Sequence, residues 1–397
     1  MGLGIKTRLK RLANGPFVND EYVEARELGG LLRAPAGAVL EAPPEGAALH
    51  LAFVVPFFQQ GSGGHMTIAN LVRALERRGH RCSLWIDDPG RRCAGGPEGA
   101  ARDLRAWFGP FAASVTYGLG SFAGADVAIA TGWQTVARVR TLPAAGRAYL
   151  VQDHEPEFFG TSVQRAWAED SYRHDLYPIT AGQWLADVMR AEYGLPATPF
   201  DLGIDGERYR PSPGVVRRPD VVVAYARSTT PRRGVPVALA ALAELHARRP
   251  EVEAWLFGHG GPPGVDFPYK NLGVVPESGL PAIYAEATVG LVLSMTNYSL
   301  VAQEMLSCGL ACVELDAPSV VAAFGRGGPV DFAPLDPIAI ADALERLLAD
   351  PALRADRAAQ GVVLRAERTW DHAAAQVDVG LRAAIAHTHR DRGSGAA

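Results

Sequence analysis

The chain has 397 residues, of which 48% are hydrophobic and 21% charged, and its formal net charge is −4. This length predicts two domains with ordinary cores. The small negative charge argues against a nucleic acid or another polyanion as the main partner. The four cysteines form neither a metal-ligand cluster nor a disulfide framework. We therefore expect a reducing, cytoplasmic location and no bound metal.

Residues 1–49 are predicted to be an N-terminal extension. The start lacks the apolar run of a secretory signal, and no stretch of the chain reaches the ~18 uncharged apolar residues of a membrane span. Basic residues alternate there with Leu and Ile, namely Lys6, Arg8, Lys10 and Arg11. On a helix this pattern gives a short amphipathic element that could rest on an anionic inner membrane leaflet. The alternative is a frayed or domain-docked helix without membrane contact.

Strand and helix patterns alternate from residue 50 onward. The first predicted elements are a strand over His50–Phe58, a glycine-rich turn, a helix over Met66–Arg78 and a strand over Cys82–Ile86. Further strands are predicted at Asp126–Thr131, Ala148–Val151 and Tyr177–Ala181, with helices at Trp133–Arg140 and Gln183–Tyr193. Such alternation is typical of a parallel sheet covered by helices on both faces. We therefore predict a Rossmann-like domain over residues 50–205.

A linker containing glycine and proline, Leu202–Pro211, precedes a second series of the same kind. Its predicted strands are Val221–Ala226, Glu253–Phe257, Leu272–Val275, Val289–Leu293 and Ala311–Leu315. Its predicted helices are Val235–His246, Leu280–Ala287, Pro337–Leu348 and Pro351–Arg368. The period of the apolar residues supports a second Rossmann-like domain over residues 206–369. A last helix, residues 370–387, is predicted to cross back to the first domain.

The glycine-rich turn after the first strand is a candidate anion or sugar site. Gly61, Gly63 and Gly64 would let backbone N–H groups and the helix terminus approach a ligand closely. A dinucleotide fingerprint needs a third glycine where Met66 stands, which disfavours a nicotinamide dehydrogenase. His65, at the helix start, is either an acceptor contact or a helix cap.

Arginines follow the first strand of the second domain. Arg227 lies just past that strand, and Arg232 and Arg233 precede Gly234 and a helix. The planar guanidinium binds phosphate oxygens bidentately. Fixed cations also stabilise the negative charge that develops on a leaving diphosphate. The alternative is a solvated basic loop.

An acidic and aromatic run follows the strand Ala148–Val151. It contains Asp153, His154, Glu155 and Phe158. Buried charges require partners, and general acid–base chemistry uses such groups. The run is therefore either part of a functional site or a negatively charged surface loop.

The stretch from Leu291 to Asp316 is predicted to be a βαβ unit. A polar loop, Ser294–Ser299, follows one strand, and a helix carrying Glu304 ends at a glycine turn, Cys308-Gly309, before the next strand. The loop would lie at the carboxyl end of a strand and the amino end of a helix. Open α/β sheets usually hold anions and sugar hydroxyls at that position.

These segments together resemble family 4 glycosyltransferases, which have the GT-B fold. That family has two glutamates eight positions apart; Glu304 matches the second, and Thr296 stands at the first. Arg227 matches the family's arginine, and Arg233 occupies its lysine position with one residue more than the usual spacing, so either Arg232 or Arg233 is the functional member. The acidic and aromatic run resembles that of rhamnosyltransferases that build bacterial surface glycans.

The resemblance implies an α/β protein with two tandem Rossmann-like domains that face an interdomain cleft. The second domain would bind the nucleotide sugar and the first domain the acceptor. The implied donor-binding residues are Gly63, Gly64, Gly258, Val275, Thr296, Asn297, Tyr298, Ser299, Leu300 and Glu304. The implied acceptor-binding residues are His65, His154, Glu155 and Phe158. The implied catalytic residues are Arg227, Arg232, Arg233 and Asp153.

The implied activity is retaining, metal-independent transfer of a sugar to a glycan, lipid-linked or small-molecule acceptor. No cofactor is expected beyond a dTDP- or UDP-linked co-substrate, and dTDP-rhamnose fits the loss of the first glutamate best. Two alternatives remain open at this point. One is a nucleotide-sugar epimerase or hydrolase on the same fold, and the other is a non-catalytic, two-lobed sugar-binding protein.

Overall fold

The computed structural model describes residues 20–93, 95–261 and 264–394. The predicted basic amphipathic element, Lys6–Arg11, lies outside the described residues. The chain forms two compact units. Among the described residues, the first comprises those of 20–150, Trp167–Pro178 and 379–394, and the second those of Val151–Ala166 and Ile179–Asp378.

The first half of the described chain builds one parallel sheet arrangement. Its elements in chain order are α1 (Asp20–Arg33), β1 (His50–Val55), α2 (Gly63–Arg77), β2 (Arg81–Ile86), α3 (Gly96–Phe108), β3 (Ser114–Tyr117), β4 (Ala125–Ala130), α4 (Trp133–Arg140), β5 (Ala144–Val151) and α5 (Val163–Ser171). The strands pair in parallel in the order β3-β2-β1-β4-β5. β1 is buried almost completely, as expected for a strand covered on both faces.

The rest of the chain adds two more strands to the first sheet and builds a second one. Its elements are β6 (Tyr177–Ala181), α6 (Gln183–Tyr193), β7 (Thr198–Phe200), β8 (Val221–Tyr225), α7 (Val235–Arg248), β9 (Glu253–Phe257), β10 (Tyr269–Gly273), α8 (Leu280–Glu286), β11 (Val289–Leu291), α9 (Leu300–Ser307), β12 (Cys312–Leu315), α10 (Pro318–Phe324), β13 (Val330–Ala333), α11 (Pro337–Ala349), α12 (Pro351–Glu367) and α13 (Trp370–Ser394). β6 pairs in parallel with β7, and both belong to the first sheet, whose full order is β3-β2-β1-β4-β5-β6-β7. The second sheet is parallel throughout, with the order β10-β9-β8-β11-β12-β13. The predicted α/β class with parallel sheets is confirmed.

Some elements differ from the predicted ones. The strand predicted at Leu272–Val275 is β10 (Tyr269–Gly273) instead, because Gly273 has a positive φ of 68° and a register shift ends the ladder there. α2 begins at Gly63, three residues before the predicted start. The short elements β3, β13, α5 and α10 were not predicted, since brief segments show too little apolar periodicity. The longer helix α3 was not predicted either; its first turn contains Gly96, Pro97 and Gly99, residues typical of a loop.

The linker of the second unit is fixed by a close approach of two backbones. A Cβ on Gly203 would lie 2.7 Å from Trp370 Cα, so the position admits only glycine without movement. The N–H of Ile204 donates to the carbonyl of Arg368 at 2.8 Å. This contact ties the linker to the segment between α12 and α13. In the structure Val151–Ala166 and Ile179–Asp378 belong to the second unit, whereas the sequence predicts that residues up to 205 belong to the first domain. The predicted domain boundaries stay a prediction.

Across the described ranges, no helix combines the length and the apolar character needed to cross a membrane.

Candidate functional site

Two loops of the second unit leave the sheet at the same edge. One follows β8 and carries Arg232 and Arg233, and the other follows β11 and begins at Ser294. β8 and β11 are parallel neighbours, so their carboxyl ends lie side by side. The N–H of Met295 donates to the carbonyl of Arg232 at 3.2 Å and links the loops directly. In open α/β sheets such an edge is the usual ligand site.

Arg232 contacts the acidic and aromatic run through both its face and its edge. Its Cζ lies 3.9 Å from the centroid of the Phe158 ring. Its Nε lies 3.3 Å from Asp153 Oδ2, yet this nitrogen has no hydrogen-bond partner in the described chain because the ion pair is not aligned. A guanidinium stacked by its face still presents its N–H edge to an anion, which in this structure is the Asp153 carboxylate.

Asp153 is a buried carboxyl held among several donors. Burial raises its pKa, while the positive charges of Arg232 and Arg233, the hydroxyl of Thr296 and the N–H of His154 act in the opposite direction. The N–H of His154 donates to Asp153 Oδ1 at 3.0 Å. Thr296, which stands at the position of the family's first glutamate, therefore contacts the predicted catalytic acid.

The rest of the acidic and aromatic run packs within the second unit. Glu155 is buried, and its negative charge raises the pKa of Arg232 against the larger, lowering effect of burial. His154 Nδ1 lies 3.3 Å from Glu157 Oε1, and its Nε2 lies 3.4 Å from the hydroxyl of Tyr193. The run is thus a partner of the arginine loop and not a free surface loop.

Arg233 is anchored to a buried carboxyl through a serine. Its Nη1 donates to Ser294 Oγ at 3.2 Å, and that hydroxyl donates to Glu314 Oε1 at 2.5 Å. Glu314 and Ser294 are both fully buried. Burial raises the pKa of Glu314 to about 7, although Ser294, the N–H of Leu315 and Arg233 favour its ionised form.

Asn297 holds the polar loop against two strand ends. Its Nδ2 donates to the carbonyls of Gln152 at 2.9 Å and Ala181 at 3.0 Å. Its Oδ1 accepts from the N–H of Tyr298 at 2.9 Å. Both amide hydrogens are therefore used by the protein itself, which leaves a lone pair of Oδ1 for the predicted sugar contact.

The next loop residues also make contacts within the protein. The hydroxyl of Tyr298 accepts from the N–H of Leu202 at 3.0 Å, which joins the loop to the linker. Ser299 caps α9, since its Oγ accepts from the N–H of Val301 at 3.2 Å. Leu300 is the first residue of α9. An N-terminal cap of this kind orients the helix terminus and its free N–H groups.

Glu304 lies inside the second unit in a polar environment. Burial and the nearby charge of Glu277 raise its pKa to about 8, and Tyr209 and Arg208 act in the opposite direction. Arg208 forms an ion pair with Glu277. A carboxyl with such a strongly raised pKa is a functional-site candidate.

The remaining predicted residues of the second unit are the catalytic candidate Arg227, which follows β8, and the donor-binding candidates Gly258 and Val275, which follow β9 and β10. Gly258 has a φ of 101°, and a Cβ there would lie 2.9 Å from Tyr225 Cε2, so a side chain is excluded. The carbonyl of Arg227 accepts from the N–H of Thr230 at 3.1 Å and forms the turn before the arginine pair. Val275 follows β10 and is half-buried.

Three predicted residues belong to the first unit and form the first turn of α2. They are Gly63, Gly64 and His65. The Nδ1 of His65 lies 2.8 Å from Ser62 Oγ, and its ring stacks on Phe108 with centroids 5.7 Å apart. Burial lowers the pKa of His65 to about 4, so this imidazole is neutral at pH 7.

The structure thus brings together Asp153, Phe158, Arg232, Arg233 and the Ser294–Ser299 loop. Sequence reasoning missed Ser294 as a link and Glu314 altogether. The signal was present, because Glu314 is a charged residue inside the apolar strand Cys312–Leu315, where an unpaired charge is costly.

Comparison with known proteins finds a family model that matches the region of the second sheet. Residues 219–350 match the family model described as Glycosyl transferases group 1. The chain is 32% identical over 269 residues to the O-antigen biosynthesis protein RfbC of Myxococcus xanthus, an alignment that covers 66% of this chain and 21% of that protein. The chain therefore spans about a fifth of the length of this curated relative.

Solved structures show the same fold at low sequence identity. Sucrose-phosphate synthase from Thermosynechococcus elongatus has a TM-score of 0.63 at 17% identity and covers 85% of this chain and 99% of its own. HepE from Anabaena, solved with UDP and glucose, has a TM-score of 0.63 at 16% identity and covers 84% and 99%. The pneumococcal O-GlcNAc transferase GtfA, solved with UDP and GlcNAc, has a TM-score of 0.63 at 10% identity and covers 85% and 99%. The predicted GT-B fold is confirmed.

Proposed function

Because this chain carries a group 1 glycosyltransferase domain on a GT-B fold, as family 4-like glycosyltransferases do, we propose that it transfers a sugar from a nucleotide donor to an acceptor in glycan biosynthesis. One observation carries this proposal. The arginine loop after β8 and the capped loop after β11 meet at one edge of a parallel sheet, linked by the Met295–Arg232 hydrogen bond. This arrangement suits a diphosphate.

The arginines and the loop would bind the leaving group. Arg232 and Arg233 supply positive charge, and the N-terminus of α9 after Ser299 supplies backbone N–H donors. Glu304, whose raised pKa marks it as a functional-site candidate, would hold the ribose hydroxyls. Because the arginines provide the counter-charge, the proposed reaction needs no metal ion.

The proposed reaction retains the configuration of the donor sugar. The bond between the anomeric carbon and the diphosphate oxygen breaks, and a bond from the same carbon to the acceptor oxygen forms on the same face. The acceptor proton passes to the leaving phosphate oxygen. Asp153, close to Arg232 and Thr296, would orient the acceptor hydroxyl.

The donor sugar proposed first is rhamnose, carried by dTDP. A threonine at position 296 makes the sugar pocket less acidic than a glutamate would, which suits a 6-deoxyhexose. UDP-linked sugars are the alternative donors, since the solved HepE and GtfA structures contain UDP. RfbC is an O-antigen biosynthesis protein, which favours a growing glycan or its lipid-linked form as the acceptor.

The test measures the binding of dTDP-rhamnose, UDP-glucose, UDP-GlcNAc and NAD by thermal shift and by calorimetry. The variants are Arg232→Ala and Glu304→Ala, with Arg326→Ala as the control. Arg326 is an exposed arginine of the same unit, 2.9 Å from Asp316. We expect one nucleotide sugar to bind wild type and the control, with a loss of tenfold or more in both site variants. Failure of every nucleotide sugar to bind would refute the proposed function.

A further inference from the structure

Glu314 is a fully buried carboxyl of the second sheet. It is the penultimate residue of β12 and has 0% exposure, as has Ser294, to which it is hydrogen-bonded. Its carboxyl accepts from three donors: Ser294 Oγ at 2.5 Å, the N–H of Ser294 at 3.2 Å and the N–H of Leu315 at 2.7 Å. A fully buried carboxyl cannot contact a bound substrate. Its hydrogen bonds instead reach the first residue of the polar loop.

Glu314 is connected to an arginine through the same serine. Ser294 Oγ accepts from Arg233 Nη1 at 3.2 Å while it donates to Glu314. The hydroxyl therefore has one donor and one acceptor partner, and its orientation is fixed in both directions. The positive charge of Arg233 also favours the ionised form of Glu314.

Burying a carboxyl in a strand is costly, and the packing of β12 does not call for one. The neighbours of Glu314 in β12, Val313 and Leu315, are apolar. An apolar residue at 314 would suit that packing but would leave the buried N–H and hydroxyl of Ser294 without this acceptor, so the carboxyl serves the polar loop. Asp331 on the adjacent strand β13 shows the ordinary structural case. Its Oδ2 pairs with the half-exposed Arg346 at 2.7 Å, at the edge of the domain.

We propose that Glu314 is a positioning residue of the donor site: through Ser294 it fixes both the start of the polar loop and the guanidinium of Arg233, so that Arg233 is pre-oriented for the donor diphosphate. The inference rests on the proposed function. The polar loop has Thr296 where the resembled family has a glutamate. Its carboxyl contact comes instead from Glu314 on β12, outside the loop.

A positioning role makes a distinct prediction about which ligands are affected. Arg233 would contact the diphosphate and not the nucleoside. Loss of Glu314 should therefore lower the binding affinity for a nucleoside diphosphate more than the affinity for the matching nucleoside. A general loss of packing in the second sheet would weaken both to the same degree. Pre-orientation of a charged donor accounts for about a tenfold effect.

The experiment is calorimetric titration of dTDP, UDP and the nucleosides thymidine and uridine into the full chain. The variants are Glu314→Gln, Ser294→Ala, Arg233→Ala and the double variant Glu314→Gln with Arg233→Ala. Asp331→Asn is the matched control, a buried carboxyl on the next strand. Circular dichroism and melting temperature establish that each variant is folded.

We expect Glu314→Gln to lower the affinity for the nucleoside diphosphate about tenfold and Ser294→Ala to lower it about fivefold. The affinity for the nucleoside should change less than twofold in both variants. In the Arg233→Ala background, Glu314→Gln should have almost no further effect. An equal effect of Glu314→Gln with and without Arg233 would overturn the inference, as would an equal loss in Asp331→Asn. If Glu314→Gln does not fold, an unchanged diphosphate affinity in Ser294→Ala overturns it. Lack of diphosphate binding by wild type refutes the proposed function instead.

Discussion

Replacing Asp153 by asparagine should tighten nucleotide binding, although Asp153 is a predicted catalytic residue. In the structure its carboxylate contacts the edge of the Arg232 guanidinium, with Oδ2 3.3 Å from Nε, and we propose that the donor phosphate binds this edge. A bound diphosphate must compete with this carboxylate for the guanidinium. Asparagine keeps the size and the hydrogen bond from the N–H of His154 but removes the charge.

The size of the effect follows from the geometry of the ion pair. The Arg232 and Asp153 side chains are 28% and 14% exposed, and the pair is not aligned as a hydrogen bond. Ion pairs with this exposure and poor alignment contribute about 1 kcal/mol. Removing that competition should raise the affinity for dTDP or UDP about fivefold. Turnover should fall in the same variant, because Asp153 would no longer orient the acceptor hydroxyl.

Calorimetry with the nucleoside diphosphate and a steady-state assay would separate the two effects. Glu157→Gln is the control, since Glu157 is an exposed acid of the same turn that contacts His154 and not Arg232. It should change neither affinity nor turnover by more than twofold. A lower nucleotide affinity in both Asp153→Asn and Arg232→Ala would mean that Arg232 keeps its ion pair with Asp153 in the complex. In that case the carboxylate and the diphosphate do not compete for Arg232, and the reasoning is wrong.

Other predictions concern stability. The folded-state pKa of Glu304, about 8, lies above its usual value, so its ionisation costs stability as pH rises from 5 through 8. Glu304→Gln should therefore flatten this decline in urea unfolding and add about 1–3 kcal/mol at pH 8.5; an unchanged pH slope would contradict the raised pKa. Gly361→Ala should destabilise by about 1–3 kcal/mol despite its helical position, because the Cβ would lie 2.7 Å from the Leu306 carbonyl oxygen. Gly30→Ala, with no atom within 4 Å, is its control and should not lower the melting temperature. Arg217→Met should lower the unfolding free energy by about 2–4 kcal/mol, since the arginine donates to several backbone carbonyls, among them that of Gly309 at 2.7 Å; an unchanged melting curve would exclude this role.

The amino-acid pattern alone was sufficient to predict the class of the fold and the places where a site can form. Near-continuous apolar runs such as Val221–Tyr225 alternate with helical periods, and that alternation admits only a parallel sheet between helices. The arginine pair and the polar loop were located because strand ends and glycine turns are local features. Short elements such as β3 and β13 were missed, since a few residues carry too little periodicity.

Only the tertiary structure decided which of these local features meet. Arg232 reaches Asp153, far away along the chain, and Glu314 on β12 reaches Ser294, which follows the neighbouring strand β11. The order of strands in a sheet is set by the summed burial of whole faces, which no single segment encodes. For the same reason the sequence could identify the arginines as cations near a diphosphate but could not show that a buried carboxyl stands behind one of them.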